Sequence, residues 1–192
     1  MIRFTKVRDV KSPSRNHDGD AGLDFFIPED LTFHQLLKAN NKSDVTIHRV
    51  EVKPEDRHLP EYDHTVICVV GNHDIVEQIY LSPLARISIP SGIKVLIEPK
   101  ASMLTAANKS GLSANKGLIF TAQIVDTPYT GEVHIGIVNL SSGVWLEAGM
   151  KTTQFIHVPI FQDAPVEISN DEYENIAKNW GTRGSNGFGS GD

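Results

Sequence analysis

Val-His-Ile-Gly-Ile-Val, at residues 133–138, is the stretch that best indicates the fold. Its apolar residues alternate, so Val133, Ile135 and Ile137 share one face of an extended strand. Similar short runs recur along the chain, and they are Thr65–Val70, Ala85–Ile89, Ile93–Ile97, Val133–Leu140 and Gln154–Ile160. Many short strands separated by turn residues predict an all-β barrel or sandwich rather than alternating strands and helices.

Helix signals are fewer. Capping boxes at Thr32–Gln35 and Ser169–Glu172 predict one or two short helices, and Ser102–Ala107 is a further candidate for a turn or two of helix. Pro90–Gly92 lies between two apolar runs and predicts a hairpin turn. Residues from about 33 to 64 are polar and irregular, and we interpret them as a surface excursion.

Composition narrows the function classes. The chain has 192 residues and a net charge of −6, which argues against a general nucleic-acid binder because such proteins need a basic face. No apolar run approaches membrane-spanning length, so we expect no membrane association. Cys68 is the only cysteine, which excludes an internal disulfide and a cysteine-rich zinc site. No secretory signal is visible, so the expected location is the cytoplasm, or the host cytoplasm for a viral protein.

The last ten residues, Arg-Gly-Ser-Asn-Gly-Phe-Gly-Ser-Gly-Asp at 183–192, cannot build a core. Glycine-rich turns expose backbone N–H groups that bind anions, and Arg183 adds a forked cation suited to phosphate. Phe188 is a lone ring suited to stacking on a base. The segment therefore suits either a nucleotide lid or a flexible end.

Four further stretches are richer in glycine and polar residues than a β core requires, and they are Asp20–Asp24, Asn108–Leu112, Gln123–Glu132 and Ala148–Phe155. Lysine, serine and glycine at 109–111 suit phosphate oxygens. Asp126 has the chemistry to activate a water, and the ring of Tyr129 has the shape to pack on a sugar. Taken one by one, each stretch is equally compatible with a simple surface turn.

In order and spacing, the five stretches resemble the five motifs of the trimeric dUTPase family. The matching segments are Ala21–Asp24, Lys109–Leu112, Ile124–Glu132, Gly149–Gln154 and Arg183–Ser190. Lysine stands at positions 109 and 151 where the family usually has arginine, and Pro128 stands where it often has a second acid. The stretch at about 30–80 is longer than the family usually has.

The resemblance implies a distorted jelly-roll β-barrel and a homotrimer that shares its active sites and splits dUTP into dUMP and diphosphate with Mg²⁺. Asp126 would hold the attacking water, and Tyr129 would lie under the deoxyribose and disfavour a 2′-hydroxyl. The triphosphate and water, rather than protein side chains, would hold the metal. The other implied substrate-binding residues are Lys109, Ser110, Gly111 and Gln154 near the phosphates, Gln123, Ile124 and Val125 at the uracil edge, and Arg183, Phe188, Gly189 and Ser190 in the lid.

Several alternatives stay open. Pro99–Ser102 competes with Lys109–Leu112 for the second motif. The related dCTP deaminases, including bifunctional deaminase–diphosphatases, share the fold, but they need a glutamate where this chain has Gly136. A further hypothesis is that the chain is a non-catalytic module that senses nucleotides or binds a protein. We expect one β domain over residues 1–182, with an atypical insert at about 30–80, followed by a flexible lid over 183–192.

Overall fold

Twelve strands and three short α-helices make up the described part of the chain, which comprises residues 1–55, 59 and 64–181 of a computed structural model. The strands are β1 (Ile2–Lys6), β2 (Gly22–Phe26), β3 (Thr46–Val50), β4 (Thr65–Val70), β5 (Val76–Leu81), β6 (Arg86–Ile97), β7 (Ser102–Ala107), β8 (Leu118–Thr121), β9 (Ile124–Asp126), β10 (Glu132–Asn139), β11 (Val144–Glu147) and β12 (Lys151–Pro159). The helices are α1 (Phe33–Ala39), α2 (Ser110–Lys116) and α3 (Asn170–Ala177), and a 3-10 turn covers Asn72–Asp74.

The strands form three four-stranded sheets, ordered β1-β6-β10-β8, β11-β5-β4-β3 and β2-β12-β7-β9. The pairing of β3 with β4 is parallel, whereas the other strand pairs are antiparallel. The all-β prediction is confirmed. Over the described residues the strands make three sheets rather than one closed barrel, and there are three α-helices where one or two were expected.

One hydrophobic core joins the three sheets. All six residues of β4 are buried, and the alternation expected in β10 places Val133, Ile135 and Ile137 in the core. Each fully buried side chain of this size stabilises the fold by about 1.5–3 kcal/mol. Cys68 is buried among these residues, and burial raises the pKa of its thiol to about 12.

The predicted hairpin turn at Pro90–Gly92 is wrong. Residues 86–97 form one continuous strand, β6, which bends where Gly92 adopts a φ of +73°. Pro90 is tolerated there because the strand changes partner along its length. Its first half pairs mainly with β10 and its second half pairs with β1.

The helical prediction at Ser102–Ala107 is also wrong, because this segment is strand β7 with alternate residues buried. Burial alternates with a period of two along the segment, which is typical of a strand, although its two alanines favour a helix. Helix α2 was not predicted, since its short Ser-Gly-Leu-Ser sequence has the composition of a turn. Both helices predicted from capping boxes are present. Thr32 and Gln35 form the complete box at α1, and Ser169 caps α3.

Residues 1–160 form one compact unit, and α3 belongs to a second unit that begins at Phe161. The described part of the segment at about 33–64 is more ordered than its polar composition predicted. It contains α1, whose Leu36 is buried, and the edge strand β3. None of the helices among the described residues has the length and apolar character needed to span a bilayer.

Candidate functional site

The sheet β2-β12-β7-β9 brings together four of the five stretches identified from the sequence. The first stretch forms β2 and the fourth enters β12. The second follows β7 directly, and the third contains β9. Gln154 of β12 lies opposite Asp24 on one side and Ala107 on the other. Segments more than a hundred residues apart in sequence therefore become neighbours through strand pairing alone.

Asp24 is the point where the first, second and fourth stretches meet. Its side chain is buried, and its two carboxylate oxygens accept separate ammonium groups. Oδ1 lies 2.5 Å from Lys109 Nζ, and Oδ2 lies 2.8 Å from Lys151 Nζ. Two cations thus share one anion, which leaves a local excess of positive charge that suits an anionic ligand.

The ionisation of Asp24 reflects two opposing effects. Burial disfavours the carboxylate, but the hydrogen bonds and charges of Lys109 and Lys151 outweigh burial and lower the pKa of Asp24. The carboxylate is therefore charged at neutral pH and holds both lysine side chains in place.

Ser110 and Gly111 begin α2, and Lys109 is its N-cap. The first N–H groups of a helix have no partner within the helix, so this segment offers polar groups beside the two lysines. A Cβ atom added to Gly111 would meet no heavy atom within 4 Å, so the backbone borders open space. Gln154 Nε2 donates to the carbonyl of Asn108 at 3.3 Å, which ties β12 to the residues preceding the helix.

The third stretch pairs along the length of β7. Ala106 N donates to the carbonyl of Gln123, and Val125 lies opposite Leu104. In an antiparallel ladder, alternate residues turn their N–H and C=O groups away from the partner strand. Ile124 therefore directs its backbone groups toward the open edge of the sheet. Of the three residues expected at the uracil edge, it has the backbone best placed to contact a ligand there.

Tyr129 closes the turn that follows Asp126. Its N–H donates to the Asp126 carbonyl at 3.1 Å, and its hydroxyl donates to the Glu132 carbonyl at 2.7 Å. The ring lies against Gly131, where an added Cβ would come within 2.5 Å of the hydroxyl oxygen. Asp126 is exposed, and Tyr129 is 46% exposed, so both face solvent at the edge of the sheet.

Asp126 and Lys109 lie at opposite ends of β7. Asp126 is paired with Met103, near the start of the strand, whereas Lys109 follows its last residue, Ala107. At about 3.3 Å per residue, roughly 20 Å of chain separates the two positions. Within one chain, the acid and Lys109 therefore lie well apart along β7.

The two candidates for the second stretch have different surroundings. Lys109 contacts Asp24, whereas Lys100 is exposed and its carbonyl accepts a hydrogen bond from Thr127. Sequence reasoning placed Asp24 and Lys151 in motifs but did not count them as site residues. Only the register of β2 against β12 shows that they meet.

The remaining expected site residues, Arg183, Phe188, Gly189 and Ser190, lie outside the described residues. Within residues 1–55, 59 and 64–181, no group of three or more His, Cys, Asp or Glu side chains is placed to hold a metal ion.

Comparison with known proteins identifies the family. The family model for dUTPase matches residues 74–191. A deoxyuridine 5′-triphosphate nucleotidohydrolase of Fusobacterium nucleatum is 31% identical over 142 residues, which cover 72% of this chain and 92% of that protein. The chain belongs to the dUTPase family. Membership makes it a nucleotide hydrolase, as its five motifs implied.

Solved dUTPases share the fold. The Staphylococcus bacteriophage 80alpha dUTPase, solved with dUPNHPP, has a TM-score of 0.66 at 17% identity and covers 100% of this chain and 98% of its own. A mutant dUTPase from phage phi11 of S. aureus, described with a structural Mg(II) ion, has a TM-score of 0.59 at 16% identity, with 88% of this chain and 97% of its own covered. At these identities the likeness establishes the jelly-roll-like fold alone.

Proposed function

We propose that this protein hydrolyses dUTP to dUMP and diphosphate. The observation that carries the proposal is the convergence of Lys109 and Lys151 on Asp24, beside the start of α2. This cluster supports phosphate binding, because two ammonium groups and a helix start offer charge and hydrogen-bond donors together. Family membership and the exposed carboxylate of Asp126 also support a nucleoside triphosphate as the substrate.

The chemical step assigned to this site is attack by water on the α-phosphorus. Asp126 orients the water and accepts its proton, while the bond from the α-phosphorus to the bridging oxygen breaks and diphosphate leaves. Such a reaction needs mainly positioning and neutralisation of charge. Lys109 and Lys151 supply compact charges rather than the two-pronged contacts of arginine, so they neutralise phosphate with less geometric constraint.

Mg²⁺ fits the proposed site as a substrate-borne ion. It keeps several waters and commonly binds through substrate phosphates with one or two carboxylates. The exposed carboxylate of Asp126 has the right chemistry to contact metal-bound water, whereas both oxygens of Asp24 are engaged by lysines. The bound ion would neutralise part of the triphosphate charge.

The separation along β7 supports a site shared between subunits. Because roughly 20 Å of chain separates Asp126 from Lys109, a compactly bound nucleotide would contact both more readily if they came from different copies of the chain. Together with the family resemblance, this separation leads us to infer a homotrimer in which Asp126, Ile124 and Tyr129 of one subunit face Lys109 and Ser110 of another. Arg183 and Phe188 are assigned to the lid over this shared site.

Deamination is disfavoured by the surroundings of Gly136. This residue lies opposite Thr121 in the pairing of β10 with β8. A Cβ at position 136 would lie 2.4 Å from Thr121 Oγ1 and 3.2 Å from the Thr121 carbonyl oxygen. A glutamate in this position, which a deaminase needs, would collide with its neighbour.

The test is a panel of dUTP, dCTP, dTTP and UTP with Mg²⁺, in which both diphosphate and ammonia are measured. We expect diphosphate from dUTP and far less from the other three nucleotides, with no ammonia from any of them. The same panel in excess chelator is the control, and it should show strongly reduced turnover. Release of ammonia from dCTP would contradict the proposal.

A further inference from the structure

Helix α1 lies in the stretch expected to be longer than in typical family members. It is linked to the body of the protein at two points, to Glu132 of β10 through Arg8 and to Ser88 of β6 through Asn40. The first attachment is a partly buried network around Arg8. Its Nε and Nη2 donate to the two carboxylate oxygens of Glu132 at 2.7 and 3.0 Å. Its Nη1 donates to Gln35 Oε1 at 2.7 Å. The side chains of Arg8 and Glu132 are only 13% and 17% exposed.

Gln35 fixes this network to the helix. Its Oε1 also accepts the backbone N–H of Thr32 at 3.0 Å, and its own N–H donates to Thr32 Oγ1 at 3.2 Å. The side chain therefore belongs to the capping box of α1 and to the Arg8 network at once. Because Leu36, the next residue, is buried in the core, the position of Gln35 is set by the body of the protein.

Glu132 connects the network to the proposed sugar contact. Its Oε1 accepts the N–H of Gly92 at 2.7 Å as well as the Arg8 contact, so the carboxylate is held from two sides. Its backbone carbonyl accepts the hydroxyl of Tyr129. A shift of Glu132 would therefore move the group that holds the Tyr129 ring.

The second attachment is at the other end of α1. Asn40 Nδ2 donates to the carbonyl of Ser88 at 2.9 Å, and Asn40 Oδ1 accepts the N–H of Ser88 at 2.8 Å. Ser88 lies opposite Gly136 of β10. The register of β10 against β6 shifts between Glu132 and His134, so the irregular part of β10 lies between the two attachments.

We propose that Arg8, Gln35 and Glu132 are positioning residues that fix the ring of Tyr129 and thereby set the discrimination between deoxyribose and ribose. This inference rests on the proposed function. It gives the insert a role, since α1 braces the strand that carries the sugar-contacting turn. None of the three side chains touches the substrate in this proposal, and each acts through Tyr129.

The test compares Gln35→Leu with Gln35→Glu. Leucine cannot accept from Arg8 or Thr32, whereas glutamate accepts from both. The matched control is Gln162→Leu, which makes the same change at an exposed position outside the network and outside β4 and β5. For each protein, kcat/KM is measured with dUTP and with UTP. Amide hydrogen exchange is followed in residues 122–132, with β4 and β5 as internal reference.

In Gln35→Leu we expect the preference for dUTP over UTP to fall about tenfold, since small displacements of a positioned group have effects of this order or larger. Exchange should quicken in residues 122–132 and stay unchanged in β4 and β5. Gln35→Glu and Gln162→Leu should retain the wild-type preference and exchange.

Two results would overturn the inference. One is an unchanged preference with unchanged exchange in Gln35→Leu. The other is an equal loss of activity toward both substrates with faster exchange in β4 and β5, which would mean general destabilisation. If the wild-type protein fails to hydrolyse dUTP, the proposed function fails. Faster exchange confined to residues 122–132 in Gln35→Leu would then still support the inference that Gln35 helps to hold this segment in place.

Discussion

Asp24 is the single residue on which the proposed phosphate site depends most. It is 4% exposed, and both of its oxygens are used by lysine. A substitution there removes the anion and leaves two cations close together, so its effect on stability should exceed that of an ordinary surface acid. In the proposed site, the shared carboxylate also aligns two lysine side chains that are otherwise flexible.

We predict that Asp24→Asn lowers the free energy of unfolding by about 2 kcal/mol at neutral pH. This is below the usual cost of breaking a buried ion pair, because the side chains of Lys109 and Lys151 are 25% and 36% exposed. Urea denaturation measures the change. Asp44→Asn is the control, since Asp44 pairs with Arg86 at the surface and should contribute less.

The contribution of Asp24 to the stability of the fold should decrease as the pH falls. Because the pKa of Asp24 is lowered in the folded state, its contribution is present above the ordinary aspartate pKa of about 3.9 and is lost as pH falls through the lowered value. The difference between wild type and Asp24→Asn should therefore disappear only in acid. Equal stability of the two proteins at neutral pH would contradict the assignment.

Among the elements, β6 shows how strand pairing can prevail over a local sequence pattern that predicts a turn. A proline and a glycine within three residues predict a turn, yet the strand continues because each half finds a partner elsewhere. Gly92 makes this possible. Its φ of +73° suits glycine, and an added Cβ would lie 2.9 Å from Arg8 Cβ and Val10 Cγ1.

Gly92→Ala should therefore destabilise the protein by about 2 kcal/mol, since it combines a positive φ with a steric contact. Thermal or urea unfolding measures the loss. Gly181→Ala is the matched control, because a Cβ there meets no heavy atom within 4 Å and no positive φ is required. Equal effects of the two substitutions would show that the bend does not need glycine.

The elements also show what the sequence could predict. Thr65–Val70 was predicted with its observed bounds, because a fully buried strand is apolar throughout. The capping boxes located α1 and α3, because a cap is a local interaction. The helical prediction at Ser102–Ala107 and the missed α2 involve short segments whose state is decided by distant partners.

In the site, too, local patterns could be predicted from the sequence, whereas contacts between distant segments could not. The motif segments could be found as local patterns of glycine and charge. The pairing of Asp24 with Lys109 and Lys151, and the link from Arg8 to Glu132, span 85 to 127 positions in sequence. Such contacts depend on strand register, which composition and spacing do not specify.

At the scale of the whole molecule, the proposed site is shared between chains. We predict that Asp126→Asn and Lys109→Ala are each nearly inactive alone, because each removes one half of every site. Refolded together in equal amounts, they should regain activity. By random assembly, roughly a quarter of the sites would combine an intact Asp126 with an intact Lys109 from different subunits.

The double variant Asp126→Asn/Lys109→Ala, refolded with itself, is the control and should stay inactive. Size measurements on the mixture establish that the chains have assembled. If the mixture assembles but recovers no activity, both halves of the site must come from one chain, and the subunit-sharing proposal is wrong.

The buried thiol of Cys68 gives this protein a native reporter group. The chain has no other cysteine, and a thiol with a pKa of about 12 carries almost no thiolate at neutral pH. A thiol-reactive dye added to the folded protein should therefore react only when β4 is transiently uncovered. The labelling rate then measures how often the sheet that contains β4 opens, without any engineered probe. A second cysteine placed in residues 183–192 could be labelled selectively, to follow the tail by fluorescence as nucleotide binds.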